Sequence, residues 1–414
     1  MRDESNVTSS RITHHSSRLT DHQIGAGLHR QLEGLRLAVL VERGVNEIEF
    51  HLCRLRLREA GAEVVVVGNR QLQYEGEDHE ALCADVTIDQ VDASGFDGVF
   101  IPGGLAPEKL RQSPAVVQFV LGLYGRGKVC AAICHGQQVL ISAGLLRGRR
   151  AVAAWSMVDD LVRTGALHVP EARAARDGTL VTARIYHDSP LFFRMAWEAL
   201  AEAEGRAIPP GHGERLLGKR VGILADDASS AAQVFYARCR IDEEGGGAIL
   251  IGRRAGAQVR LGSPTWEWAE RGPVVTTDRS LEDVGAVVSD DLPYDEALNA
   301  VRAADLDGLV VPGGLATWLI RGHPGLRKLI QEMHAAGKPI AAIERGPKVL
   351  LSAGILGGGP VTGSGEVRDD LIGAGLLYRD EPAVRDGNLL FCRGTEDLPE
   401  WGGAWTDMLA RGCE

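Results

Sequence analysis

Aromatic residues are scarce in this chain, long apolar runs are missing, and its cysteines form no metal-type pairs. Phe, Trp and Tyr make up 5% of 414 residues, too few for the stacking platforms that hold single-stranded nucleic acid. Basic charge is also in deficit, with 45 Lys and Arg against 56 Asp and Glu and a net charge of −11. That balance argues against a partner recognised through its phosphate backbone. No apolar run approaches the ~20 residues that span a bilayer, and no signal-type segment opens the chain. A cytoplasmic protein with no nucleic-acid or membrane partner is expected. Seven cysteines, an odd number without CxxC spacing, fit reduced thiols better than a disulfide framework or a zinc site.

What is present suits a soluble α/β protein: 44% hydrophobic residues, 24% charged residues and 52 glycines. The length exceeds one ordinary core, so two domains are expected. The apolar runs at 35–42, 63–67 and 96–101 read as strands buried on both faces, alternating with helices. Asn46 is placed to cap the first helix and Gly61 to stop it. Residues 1–32 are polar and aperiodic and read as a mobile arm. The breakers around Ile208-Pro-Pro-Gly-His-Gly213 mark a linker over 205–217 between domains at 33–204 and 218–414.

The second half repeats the first. Val310-Val-Pro-Gly-Gly-Leu-Ala316 matches Phe100-Ile-Pro-Gly-Gly-Leu-Ala106, and Ala341-Ala-Ile-Glu-Arg-Gly346 matches Ala131-Ala-Ile-Cys-His-Gly136, both at an offset of 210 residues. The opening strands match at an offset of 184, so the second copy carries about 26 extra residues before its Pro-Gly-Gly. This insertion, over about 250–300, includes Trp266 to Trp268.

The strand ending at Ile133 turns directly into a helix at Cys134. Small neighbours at Ala132 and Gly136 suit a sharp strand-to-helix elbow. A thiol there sits at a helix N-terminus, where unpaired N–H groups favour the thiolate, and His135 adds positive charge. A buried structural cysteine is the alternative. Glu49 falls on the first helical turn after the first strand. It is either a carboxyl that keeps its proton beside the thiolate or a carboxylate complementing the helix dipole. Gly103 and Gly104 allow close backbone approach and aim N–H groups at an oxyanion, besides making a strand-end turn.

Pro102-Gly-Gly-Leu-Ala-Pro-Glu108, the Ala-Ile-Cys-His-Gly elbow and Asp159-Asp160 together resemble the ThiJ/PfpI superfamily, in particular its PfpI-type peptidase and glyoxalase- or deglycase-like branch. The resemblance implies two tandem flavodoxin-like domains with doubly wound parallel sheets, of the class I glutamine amidotransferase type. It implies a Cys134 nucleophile, a carboxylic acid at Glu49, and an oxyanion site from the amides of Gly104 and His135. It also implies a cofactor-independent enzyme acting on a small reactive carbonyl. A PfpI-type peptidase or amidase, a redox sensor or chaperone-like binder, and a specialised biosynthetic enzyme stay open beside that reading.

The second copy keeps the elbow's small residues but holds Glu344 for the thiol, Arg345 for the histidine and Gln233 for Glu49. It is expected to be a pseudo-protomer without thiol chemistry, with a repurposed pocket on Glu344 as the alternative. In PfpI-type relatives the glutamate of Ala-Pro-Glu reaches a neighbouring subunit's histidine. If the copies meet as those subunits do, Glu108 pairs with Arg345 and His135 faces Trp318, giving an intramolecular pseudo-dimer with further self-association open. Tyr186, His187 and Asp188 replace the usual Pro-Gly turn and bring polar groups to the pocket mouth. His187 is then an acid/base group or substrate contact, or the start of a solvent-facing helix capped by Asp188. Trp155 reads as a pocket wall or as core.

Overall fold

A computed structural model describes residues 30–208, 213–253, 256–262, 272–281 and 301–412. Residues 1–29 and Trp266 to Trp268 lie outside the described residues. The Val-, Ile- and Ala-rich runs form two seven-stranded sheets. Across the first, the strands are ordered Ala174–Asp177, Leu180–Ala183, Val129–Ile133, Gly98–Ile101, Arg36–Val41, Glu63–Gly68 and Val86–Thr87. All run parallel except Ala174–Asp177. The second sheet repeats this order with Ala383–Asp386, Leu389–Cys392, Ile340–Ile343, Gly308–Val311, Arg220–Leu224, Gly247–Gly252 and Arg279–Ser280. These are two doubly wound, flavodoxin-like sheets. Within 250–300 the described residues form the edge strand Arg279–Ser280 and an antiparallel pair, Gln258–Arg260 with Val274–Thr276, which matches Gln73–Glu75 with Ala81–Cys83 in the first copy. No helix among the described residues is long and apolar enough to cross a membrane.

The chain leaves Arg36–Val41 on one side, at Glu63–Gly68, and returns on the other, at Gly98–Ile101. That reversal opens a crevice at the carboxyl ends of the two central strands, where α/β sheets hold their functional groups. Glu49, Gly103 and Cys134 all follow such ends.

Each sheet buries one face in a core of its own copy, and the other two faces share a single core. The shared core holds Leu37, Phe100 and Phe192 together with Tyr236, Trp401 and Trp405. It closes where the helices Glu47–Glu59 and Ser189–Ala203 meet Ala231–Glu243 and Leu398–Arg411. The packing is isologous, and four charged residues sit at its centre. Arg56 holds Glu243 through two bonds of 3.0 and 2.9 Å, and Arg240 Nε reaches Glu59 at 2.8 Å. Within each helix the same groups pair again, Arg56 to Glu59 at 2.6 Å and Arg240 to Glu243 at 3.4 Å. All four side chains are at most 4% exposed. The Tyr236 hydroxyl adds a donor to Glu59.

This packing overturns the expected pairing of Glu108 with Arg345. The short helix Ala106–Leu110, which carries Glu108, packs on the elbow of its own copy, and Ala316–Ile320, which carries Trp318, does the same in the second. Arg345 turns to its own copy, 3.4 Å from Glu366 and over the Trp318 ring at 5.8 Å. The copies meet instead through the helices Glu47–Glu59 and Ala231–Glu243 that follow their first strands.

Removing one member of the buried quartet strands an opposite charge without water. Glu243→Ala is expected to lower stability by about 3–5 kcal/mol in urea unfolding. Replacing all four residues by Met and Leu should cost far less, and a loss under about 1 kcal/mol for the single change would deny the quartet its structural role.

Candidate active site

The elbow is built as the spacing predicts, with one addition. Val129–Ile133 ends at Cys134, a turn of 3-10 helix covers Cys134–Gly136, and the α-helix begins at Gln137. Cys134 has φ +62°, a left-handed conformation that costs an L-residue with a side chain about 1–2 kcal/mol. The close approach is strict: a Cβ on Gly136 would come 2.2 Å from the Ile101 carbonyl oxygen.

Three segments converge on the sulfur. Asn46 Oδ1 accepts the Glu49 N–H at 3.1 Å, capping the helix so that Glu49 points inward at 1% exposure. The Gly103 N–H donates to Glu49 Oε2 at 2.7 Å. A Cβ on Gly103 would lie 2.5 Å from Cys134 Cβ and 2.8 Å from Glu49 Oε2, so glycine alone lets carboxyl and thiol meet. The Gly104 and His135 amides lie close enough to the sulfur to favour its charged form, as the Tyr186 amide does for Glu49, whose Oε1 is buried without a hydrogen bond. Burial pushes the Glu49 carboxyl up to about 8, opposed by its bonds from Gly103 and Cys134. Burial first, then the Glu49 charge, raises the Cys134 thiol, against the pull of the two amides. The expected helix-dipole thiolate is therefore opposed by burial and by the neighbouring Glu49 carboxyl, and both groups favour their protonated forms. Among the described residues no group of three or more His, Cys, Asp or Glu could hold a metal ion.

A family model described as the DJ-1/PfpI family matches residues 35–199 and 246–407. The chain belongs to the DJ-1/PfpI family. Protein DJ-1 homolog D of Arabidopsis thaliana is 29% identical over 80% of this chain and 82% of its own length. Deglycase PfpI of Pyrococcus furiosus is 34% identical over 39% of this chain and 95% of its own. Protein/nucleic acid deglycase 2 of Escherichia coli is 34% identical over 40% and 97%.

Around this DJ-1/PfpI elbow the remaining candidates divide. His135 Nδ1 lies 3.1 Å from the Gly104 carbonyl oxygen and Nε2 2.9 Å from Ser156 Oγ, so a hydroxyl, not a carboxylate or Trp318, orients the ring. Tyr186 and His187 pack on each other, ring centroids 4.4 Å apart, and on Phe235 of the second copy at 5.0 and 5.8 Å. Burial and the Arg238 charge lower the His187 pKa, so the ring is neutral at neutral pH. Four expectations are corrected. Asp188 is buried and bonded by Arg173 at 2.6 Å and Arg184 at 3.0 Å, an ion-pair anchor and not a mouth group. Trp155 is 87% exposed and is neither pocket wall nor core. The Gly103 amide is taken by Glu49 at 2.7 Å, so it is a strut for the carboxyl and not an oxyanion donor. Glu108 is exposed on its own copy's surface.

Sequence reasoning missed Ser156 and Phe235. It also missed Glu47, whose Oε1 accepts the Asp78 and Glu80 N–H groups at 2.7 and 3.3 Å and pins the adjoining loop. Phe235 comes from the partner copy's first helix, two residues past Gln233. Its counterpart in the first copy, His51, enters the second site in return.

The second elbow keeps the geometry. Glu344 has φ +59°, and the Gly313 N–H donates to Gln233 Oε1 at 2.6 Å as Gly103 does to Glu49. Gln233 Nε2 then donates to Glu344 Oε2 at 2.6 Å and to Thr395 Oγ1 at 3.1 Å.

Glu49 generates a pH prediction. Its folded pKa of about 8 lies above the ordinary 4.5, so the folded chain keeps a proton that the unfolded chain releases between those values. The stabilisation is complete below pH 4.5 and lost as pH rises through about 8. Glu49→Gln should flatten the fall in thermal midpoint between pH 6 and pH 9 relative to the native chain. Parallel curves would show that Glu49 does not carry the proton.

Proposed function

We propose that the first copy is a cofactor-independent enzyme in which Cys134 adds to a small reactive carbonyl, in the manner of a glyoxalase or deglycase. The carrying observation is geometric: a thiol on a left-handed elbow with a buried carboxyl against it, the two brought together over Gly103. The deglycase names of two relatives support the same reading.

With a 2-oxoaldehyde, the aldehyde carbon would meet Sγ. As the C–S bond forms, the carbonyl π pair moves onto oxygen, where the Gly104 and His135 N–H groups hold it. In the active form, with Glu49 ionised, the thiol proton passes to its carboxylate and on to the hemithioacetal oxygen, which frees the carboxylate to act as a base. Glu49 then moves a proton between the two substrate carbons through an enediol, leaving a thioester. Water attacks that thioester, the C–S bond breaks, and a 2-hydroxy acid leaves with the thiol restored. One water is consumed and no redox partner is needed.

A peroxide sensor fits the resting site less well. Oxidation to sulfenate needs thiolate, and burial keeps this thiol protonated until the carboxyl accepts its proton.

Methylglyoxal is the direct test. The native chain should convert it to lactate, Cys134→Ala should abolish turnover, and Glu49→Gln should reduce kcat by at least ~100-fold. The kcat/KM profile should rise with pH until the pair loses its first proton near 8. Full activity in Cys134→Ala, or turnover lost only on Glu344→Ala, would overturn the assignment.

A further inference from the structure

The second elbow keeps a strained backbone with no nucleophile to present. Glu344 holds φ +59°, and strain of this kind persists where a site over-determines it. Burial raises the Glu344 carboxyl's pKa, and Gln233 fixes one of its oxygens. Beside it opens a cavity of about 410 Å³, within the range of small-molecule sites. Its wall comes from both copies: Glu344, Arg345, Ser230 and Thr395 from the second, His51 and Glu80 from the first.

Charge selects the class of ligand. The cavity's other carboxylates already face basic groups: Glu80 lies 2.8 Å from His51, Glu396 2.6 Å from Arg54, and Asp397 2.9 Å from Arg393 through two bonds. An anion entering here meets carboxylates on several sides. A cation leaves the donors unused: Arg345 Nε has no hydrogen-bond partner, its Nη2 reaches Glu366 only at 3.4 Å, and the buried Ser230 hydroxyl is unpaired. A wall that alternates donors with carboxylate acceptors is matched by groups that do both, and the hydroxyl is that group.

We propose that the second-copy cavity is a binding site for a neutral polyhydroxylated ligand, a sugar or sugar-like polyol, with Glu344 and Arg345 contacting its hydroxyls. The site is separate from the thiol chemistry and does not depend on it. It gives the second copy a role of its own.

Isothermal titration of the full-length Cys134→Ala chain tests this, with D-fructose, D-glucose and sorbitol as probes and L-lactate and butylamine as charged controls. At least one polyol should saturate with a Kd of about 1 mM or tighter. Arg345→Ala and Glu344→Ala should each weaken it tenfold or more while the thermal midpoint is kept, and if Glu344→Ala misfolds, Glu344→Gln takes its place. No saturable polyol binding would overturn the proposal. So would tighter binding of lactate or butylamine, or a polyol affinity unchanged in both variants.

Discussion

Four buried charges set the relation between the two copies. Arg56, Glu59, Arg240 and Glu243 have left water entirely, and each guanidinium lies between carboxylates of its own helix and of its partner, with Glu244 as a further one for Arg240. Desolvating such groups is costly unless each finds its partner, so the quartet specifies register even where it adds little net stability. Sliding one helix along the other by a turn would leave charges unmatched. The same two helices carry Glu49 and His51 on one side and Gln233 and Phe235 on the other. Fixing the register therefore fixes both sites at once.

The two elbows form an internal comparison. Strand order, the left-handed residue, the Pro-Gly-Gly turn and the amide-to-side-chain bond recur, so these belong to the scaffold. What changes is the pair of side chains facing each other. Cys134 with Glu49 is a thiol and a carboxyl able to exchange a proton. Glu344 with Gln233 is a carboxyl held by an amide that has no proton to exchange near neutral pH. The scaffold tolerates both because each pair spans the same gap between the first helix and the elbow.

Much of this was legible in the sequence. Continuous apolar strands alternating with helices announced the sheet, and the small residues around Cys134 announced the elbow. The repeat at a constant offset announced the second copy. The mode of docking was not legible. Arg56 and Glu59, three residues apart on a helix, look like any solvated surface pair, and only the opposing helix buries them. Phe235 lies two positions past Gln233, which on a helix points it well away from its own elbow and into the other copy's site. Trp155 breaks the rule that large apolar residues sit inside, and Asp188 is drawn from the mouth by Arg184, four residues before it, a spacing that many unpaired residues share. Ser156 gave no signal, since a lone serine beside a tryptophan carries no pattern.

The shared core between the copies has an evolutionary reading. In an assembly of identical subunits, any change at an elbow appears in every subunit together, so losing a thiol silences the whole particle. Joining two copies in one polypeptide, with their contact surface permanently satisfied, removes that constraint. Each half can drift alone while its neighbour continues to work, and stoichiometry is set at synthesis rather than by encounter. The divergence of Glu344 from Cys134 on an otherwise matching frame is the kind of specialisation that such a fusion permits and a free dimer forbids.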